Sequence, residues 1–326
     1  MITGRRIFLA VAAILSLVAE GLLAGDSYVM KLSTQLNETT PMVRGFNQLA
    51  ENVKARSNGR LTIQVYPSAQ LGSDEDVIEQ AMQGVNVAVL TDGGRMGNYV
   101  RDIGIIGMAY FADNYDDVLK VIEGPTYKSW EEGLVNEGIR ILSFNWYDGP
   151  RHFLTHAPIK TPADLKGQRI RTPGAPAWAE SISALGATPV AMPWGEVYSA
   201  VQSKAIDGCE VQDTSTLGSR TYEVLKYRNK TAHFQLINGL IVGEIWFQTL
   251  PADLRQLLLA ETKAAGQDNA RLVERELVEI EKKLTEYGMV TTQPDVEDFK
   301  KAAEAAYAKL NFSDLRATIY KEIGKN

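Results

Sequence analysis

The sequence holds a single cysteine, Cys209, among its 326 residues. No internal disulfide can brace it, so its stability must come from an ordinary core, and Cys209 is expected to be a buried, inert thiol. Histidine is nearly as scarce. Of the three, His152 and His156 stand four apart, but the residues between them, Phe153, Leu154 and Thr155, read as extended. No H-E-x-x-H pattern or second cysteine completes a ligand set, so no metal is expected. A phosphate loop, a G-x-G-x-x-G turn after a strand and a G-x-S-x-G elbow are all missing, and no cofactor is expected. Gly93, Gly94 and Gly97 follow a strand ending near Thr91, yet their spacing fits neither nucleotide motif; they read as a tight turn or a close approach of backbone to ligand. Asp113, Asp116 and Asp117 lack the calcium-loop pattern and read as a helix start.

Positive charge is not in excess: 34 Lys and Arg face 40 Asp and Glu, for a formal charge of −6. Without a basic stripe, nucleic acid and anionic membrane surfaces are poor partners. Long apolar runs are also absent, apart from Ile7 to Ala19, which follows Arg5 and Arg6 and ends at Glu20. That run is shorter than the roughly 20 residues of a spanning helix and has the layout of a secretory signal. Residues 1–24 are therefore read as a signal peptide cleaved near Ala24, which makes the mature chain an exported, periplasmic protein. No cysteine follows the cleavage point to carry a lipid anchor.

Beyond residue 24 the text alternates short β-like runs with amphipathic helices, the pattern of an α/β protein long enough for two lobes. Leu61, Ile63 and Val65 alternate as a strand does, and Val87–Leu90 and Ile139–Phe144 are compact apolar runs. Pro41 suits a first helical position, with Met42, Phe46, Leu49 and Val53 on one stripe. Ser73 and Asp76 form a capping box. A second group begins at Arg151, with a short helix at Pro162, a strand over Gln168–Thr172 and helices over Pro176–Leu185 and Gly195–Ala205. From Pro251 to Tyr287 runs a helical pattern interrupted only by Gly266; about 35 residues would span roughly 50 Å, enough to brace two lobes. No flexible linker is evident, so the lobes are expected to be joined by ordered crossing strands.

Two blocks carry a resemblance: GPRHFLTHAPIKTPADLKGQRIRTPGAP, Gly149 to Pro176, and LGATPVAMPWGEVYSAVQSKAIDGCEVQD, Leu185 to Asp213. They contain P-x-D-L-K-G-x-x-I-R-x-P at Pro162–Pro173 and G-A-x-P-x-x-M-x-x-x-E-V-Y-x-A-L-Q-x-x-x-I-D-G-x-E at Gly186–Glu210, with Val201 in place of the usual leucine. Upstream, V-Y-P-x-x-Q-L-G occupies Val65–Gly72. In these blocks the chain resembles the TRAP-transporter solute-binding proteins, and the similarity covers almost the whole mature sequence. The resemblance implies a two-lobed periplasmic binding protein of type II-like form, with hinge strands and a long lobe-spanning helix. Its lobes would be 26–148 plus 238–275 and 149–237 plus 276–326. It implies that Arg171, from the I-R-x-P block, grips a ligand carboxylate in a two-pronged salt bridge, supported by Arg151 twenty residues earlier. A guanidinium suits that task because its parallel N–H donors match both carboxylate oxygens. By the same resemblance Tyr147 faces the cleft, Trp146, Trp194 and Trp178 stand around the pocket, Glu210 and Val211 lie on its wall, and Thr91, Asp92 and Gln70 reach in from the first lobe. Related sialic-acid receptors have asparagine where this chain has Val211, which cannot donate a hydrogen bond.

The expected function is thus a receptor that binds a small organic carboxylate and delivers it to the subunits of a membrane TRAP permease, with no catalysis of its own. The tryptophans and Val211 point to a monocarboxylate with an apolar or aromatic body, such as a 2-oxo or aromatic acid. The alternatives are a sugar acid or C4-dicarboxylate receptor of the same family, a binding protein for an ATP-driven importer or a sensor, and an exported enzyme acting on a carboxylate. An enzyme would need a poised acid or base, and Asp92, Glu210 and Asp213 are the residues to ask it of.

Overall fold

The computed structural model describes residues 26–325, so the expected signal peptide lies outside the described residues. Among the described residues nine strands form one sheet: β1 (Tyr28–Ser33), β2 (Leu61–Tyr66), β3 (Val87–Asp92), β4 (Ile139–Thr155), β5 (Arg169–Thr172), β6 (Thr188–Ala191), β7 (Gly208–Gln212), β8 (Tyr227–Gly243) and β9 (Val290–Thr292). Their spatial order is β2-β1-β3-β8-β4-β7-β5-β6, with β9 beside β8. Strands β4 and β8, each of 17 residues, hold the architecture together. At about 3.3 Å per residue each runs roughly 55 Å, too far for one lobe. They pair antiparallel along their length, from Ile139↔Gly243 to Thr155↔Tyr227. The far half of β8 pairs with β3 at Asn238–Val242, and the far half of β4 pairs with β7 at Arg151–Thr155. One lobe is therefore built on β2-β1-β3 and the other on β7-β5-β6, and the same two strands cross from one to the other. Between them the register slips at Tyr147/Gly149, where Gly149 takes φ +99°.

The lobe helices start where local chemistry directs. Thr40 accepts from the Val43 N–H ahead of helix Pro41–Arg56, and the capping box of Ser73 and Asp76 opens helix Asp74–Met82. Helix Ala252–Glu286 is continuous over 35 residues. Its Leu254, Leu258 and Ala265 enter the first lobe's core beside Phe46 and Leu240. Ala270 and Val273 pack on Tyr147 at the crossing, and Ile280 and Leu284 join Leu154 and Val211 in the second lobe. Gly266 does not break this helix: a Cβ there would stand 2.3 Å from Asn145 Oδ1, so glycine is what lets the helix lie close against β4. The last two helices, Glu297–Lys309 and Ser313–Glu322, touch both cores. Phe299 and Ala303 meet Trp178 and Phe234, whereas Tyr307, Phe312 and Ile319 meet Ile105, Phe111 and Val118.

Asp113, Asp116 and Asp117 do surround a helix start, that of Tyr115–Glu123, capped by Asn114. No helix among the described residues is long and apolar enough to cross a membrane.

Candidate functional site

In a parallel or mixed sheet, ligands meet the loops that leave the carboxyl ends of the strands, where adjacent connections diverge. The crossing of β4 and β8 brings two such sets face to face. From the first lobe come Thr34, Gln35 and Leu36 after β1, Thr91 and Asp92 at the end of β3, Arg95 just beyond, and Asp74 at the head of its helix. From the second come Arg171 and Pro173 at the end of β5, Trp194 after β6, and Val211, Gln212 and Ser215 at the end of β7. The crossing strands supply Asp148, Arg151, Leu236 and Asn238. The cleft between them holds about 520 Å³ of empty space, its solvent-open mouth included.

Arg171 is only 2% exposed, and no acidic side chain lies within salt-bridge distance of it among the described residues. Its Nε and Nη2 both donate to the Met192 carbonyl, at 2.9 and 2.8 Å, which fixes the plane of the guanidinium. The Trp194 ring lies over it at 5.3 Å. Burial first, then the nearby Arg95 and Arg151, push the Arg171 pKa down to about 10. It remains a cation at neutral pH, but one held where only an arriving anion would relieve it.

Arg151 is differently placed. It is 5% exposed, and its Nη2 donates to a Glu210 carboxylate oxygen at 2.8 Å and to the Glu210 carbonyl at 2.7 Å. Its Nη1 donates to Gln212 at 3.0 Å. The charge of Arg151 is thus already answered by Glu210, whose own pKa burial raises while Arg151 opposes the rise. Behind Arg151 stands Trp178, 4.9 Å from the guanidinium carbon to the ring centroid, and its Nε1 donates to Asp92 Oδ1 across the lobes at 2.7 Å. Burial works to raise Asp92, yet Arg95, Trp178 and the Arg95 backbone N–H outweigh it and hold the carboxyl below its usual range. Arg95 pairs with Asp92, with Glu75 at 2.8 Å and with Asp74 at 3.6 Å.

Of the residues singled out from the sequence, Arg171, Arg151, Trp194, Val211, Thr91 and Asp92 meet in the cleft. Glu210 and Trp178 form a layer behind Arg151. Three lie elsewhere. Trp146 packs 4.9 Å from Phe46 in the first lobe's core, with Nε1 donating to Ser143. Tyr147 stacks on Tyr115 at 4.9 Å, and its hydroxyl donates to Gln235, on the side of the crossing that faces the long helix. Gln70 sits exposed at the turn after β2, outside the cleft lining. Sequence reasoning missed Arg95, Asp74, Gln35, Asp148 and Asn238. Arg95 follows the Thr91–Gly94 turn directly, and Asp74 sits inside the capping box, so the signals were present but were read only as turn and helix chemistry. Gly94 is also explained: its Cβ would stand 2.2 Å from Trp178 Nε1, so the close approach it permits is to a side chain rather than to ligand.

Two other cleft carboxyls are shifted the opposite way to Asp92, upward. Burial raises Asp74 to about 6 against the pull of Arg95 and Gln35. It raises Asp148 to about 6 as well, against hydrogen bonds from Thr214 and Gln212. Away from the cleft, Cys209 is fully buried, and burial pushes its thiol up to about 12, as an inert thiol requires. His152 is buried and held near 3 by desolvation and by Arg228 and Lys230. No cluster of three or more His, Cys, Asp or Glu able to hold a metal occurs among the described residues.

The sequence profile of the bacterial extracellular solute-binding proteins, family 7, matches residues 32–314. The chain is 25% identical over 286 residues to the sialic acid-binding periplasmic protein of Vibrio cholerae, covering 86% of this chain and 88% of that protein. It is 29% identical over 245 residues to the C4-dicarboxylate-binding periplasmic protein of Rhodobacter capsulatus, covering 75% and 73%. Its structure is similar to that of a TRAP periplasmic solute-binding protein from Ochrobacterium anthropi with bound L-fuconate, at a TM-score of 0.89 and 32% identity, covering 91% of this chain and 99% of that one.

Proposed function

The chain belongs to the TRAP-transporter periplasmic solute-binding proteins, family 7 of the bacterial extracellular solute-binding proteins, and from that premise we propose that its ligand is a sugar acid held by Arg171. The carrying observation is Arg171 itself: a buried guanidinium without an acidic partner among the described residues, at the base of a cleft whose other arginines are already paired. A carboxylate accepting two parallel N–H bonds would complete it. Arg151 supports the grip from the side, tied in place by Glu210 and Gln212.

The body of the ligand is read from the remaining walls. The expectation of an apolar or aromatic body leaned on three tryptophans, and two of them do not line the cleft. Trp146 belongs to a lobe core and Trp178 lies behind Arg151, which leaves Trp194, stacked on Arg171. Beside Leu36, Leu90, Val211 and Leu236, the cleft presents many polar groups: Gln35, Asp74, Thr91, Asp148, Gln212, Ser215 and Asn238. Thr91 Oγ1 is buried without a hydrogen-bond partner, an unusual cost unless a ligand group fills it. Walls of this kind suit a chain of hydroxyls better than a hydrocarbon. The bound L-fuconate of the Ochrobacterium protein and the sialic acid of the Vibrio protein's name are both sugar acids, which favours the same reading.

In this reading the lobes are 26–148 plus 238–275 and 149–237 plus 276–326, with an exported receptor handing its solute to the membrane subunits of a TRAP permease. Catalysis is not part of it. Asp92 is neutralised by Arg95 and Glu210 by Arg151, while Asp213 faces Arg228 outside the cleft lining, so none of the three is free to act as a base. The deciding experiment is calorimetric titration of the mature protein with aldonates, uronates, C4-dicarboxylates, 2-oxo acids and aromatic acids. Tight binding of a sugar acid supports the proposal; binding only of an aromatic or 2-oxo acid would replace it.

A further inference from the structure

The cleft holds more acid than an anion-binding site has evident use for. Arg95 is shared by Asp92, Glu75 and Asp74, and Arg151 is taken by Glu210. Asp148 adds a further buried carboxyl at the crossing strand. Arg171 alone among the cleft arginines has no acidic partner within the described residues, so the site offers a strong grip for one carboxylate and none for a second. Asp74 and Asp148 each have acceptor capacity left over, but Asp148 sits on a crossing strand, whereas Asp74 stands on the first-lobe wall of the cleft. Asp92 takes Trp178, Arg95 and a backbone N–H, and Asp148 takes Gln212 and Thr214. Asp74 has only the Gln35 amide and an Arg95 nitrogen at 3.6 Å. It lies on the lobe facing Arg171 and lines the cleft together with Thr91, whose buried hydroxyl has no partner.

We infer that Asp74 sets the charge class of the ligand: its carboxylate accepts hydrogen bonds from hydroxyls at the end of the ligand remote from Arg171 and repels a second carboxylate there. The receptor then takes polyhydroxy monocarboxylates and refuses aldarates and C4-dicarboxylates of similar length. The inference rests on the sugar-acid reading and adds to it a residue and a direction of selectivity. With a pKa near 6, Asp74 is ionised at pH 7.5, as repulsion requires. Like charges juxtaposed in a shielded cleft are a general means of excluding a wrong partner.

The test compares pairs that differ only in oxidation of the terminal carbon, D-gluconate with D-glucarate and L-galactonate with galactarate, by calorimetry at pH 7.5. In the wild-type protein the diacid of a pair is expected to bind more weakly than the monoacid by on the order of tenfold or more. Asp74→Asn, which keeps one acceptor oxygen but loses the charge, should weaken the monoacid and strengthen the diacid, moving their affinity ratio by on the order of tenfold or more. Asp74→Ser is the second variant if the first does not fold. Arg171→Ala should lose both acids. Equal binding of monoacid and diacid by the wild-type protein overturns the inference whatever the variants do. So does an unchanged ratio in a folded Asp74 variant, and in that case the sugar-acid reading survives. Failure of every polyhydroxy acid to bind the wild-type protein overturns the reading beneath it.

Discussion

A buried guanidinium without a carboxylate is costly to keep, and the Met192 carbonyl alone offsets only part of that cost. Arg171→Ala should therefore leave the fold intact or slightly more stable while weakening carboxylate binding by about 2–5 kcal/mol, the usual cost of removing one partner of a buried charge pair. Calorimetry and thermal melts on the same samples separate the two effects. Arg171→Lys should recover little, because an ammonium cannot reproduce the planar fork. Asp74 makes the converse case. Its folded pKa, near 6, stands above the usual carboxylate value near 4, so the folded state binds the extra proton. Stability from this group is fully present below about pH 4 and is lost as pH rises through about 6. The groups facing it are Arg95, Glu75, Asp92 and Gln35. Asp74→Asn should accordingly raise the melting temperature at pH 7.5, by an amount equivalent to about 2 kcal/mol, with the gain shrinking toward pH 4. A gain that is the same at both pH values would show that the carboxyl is not strained by burial. At this scale the sequence was legible where a motif fixed the residue, as at Arg171 and Arg151. It was misleading where residue type stood in for direction. Trp146 and Tyr147 are neighbours on one strand, so they point to opposite faces, and a register slip beside them leaves neither facing the cleft.

Short elements carried their own signals, which is why Leu61–Tyr66, Asp74–Met82 and Arg169–Thr172 lie within a residue or two of where periodicity and caps put them. The 17-residue strands did not. Strand β4 is buried on both faces along almost all of its length, so it shows no alternation to read, and its bulges disturb what pattern there is. Its apolar beginning, Ile139–Phe144, resembled a strand and Phe153–Thr155 read as extended, but nothing in the residues between showed that both belong to one strand. Glycines were ambiguous for a related reason, since sequence reports the missing Cβ but not what occupies its place. At Gly94 that neighbour is Trp178, whose indole links Asp92 of one lobe to Arg151 of the other. Gly94→Ala should displace the indole, break its hydrogen bond to Asp92 and destabilise the protein by about 1–3 kcal/mol, as overpacking does. Gly174→Ala, where an added Cβ meets nothing within 4 Å, should stay within about 0.5 kcal/mol of wild type. Equal melting temperatures for the two variants would mean that the indole contact carries no energy.

Two lobes that share two strands and one helix can rotate about the crossing, but they cannot separate. The register slip at Tyr147/Gly149 and the positive φ of Gly149 put the backbone's irregularity where a hinge needs it. In this structure the lobes also touch at the cleft mouth: the Trp194 N–H donates to Gln35 Oε1 at 2.8 Å, and Asn98 Nδ2 donates to the Gly174 carbonyl at 3.2 Å. Both are single, partly exposed hydrogen bonds of the kind that contribute about 1 kcal/mol or less, too little to hold the lobes together alone. A ligand bound to Arg171 and to the first lobe's polar wall adds contacts that exist only when the lobes meet, so it should shift the population toward closure. Fluorophores on Glu51→Cys and Lys166→Cys, both exposed and on different lobes, would report this by energy transfer. The native Cys209 is buried and its thiol is held near pKa 12, so it would not take up the dye. Transfer efficiency should rise with a ligand already shown by calorimetry to bind, and should not respond to the same concentration in the Arg171→Ala background. A bound ligand that leaves the efficiency unchanged would mean that the lobes are already closed without it, and that affinity is set by the cleft chemistry alone rather than by the hinge.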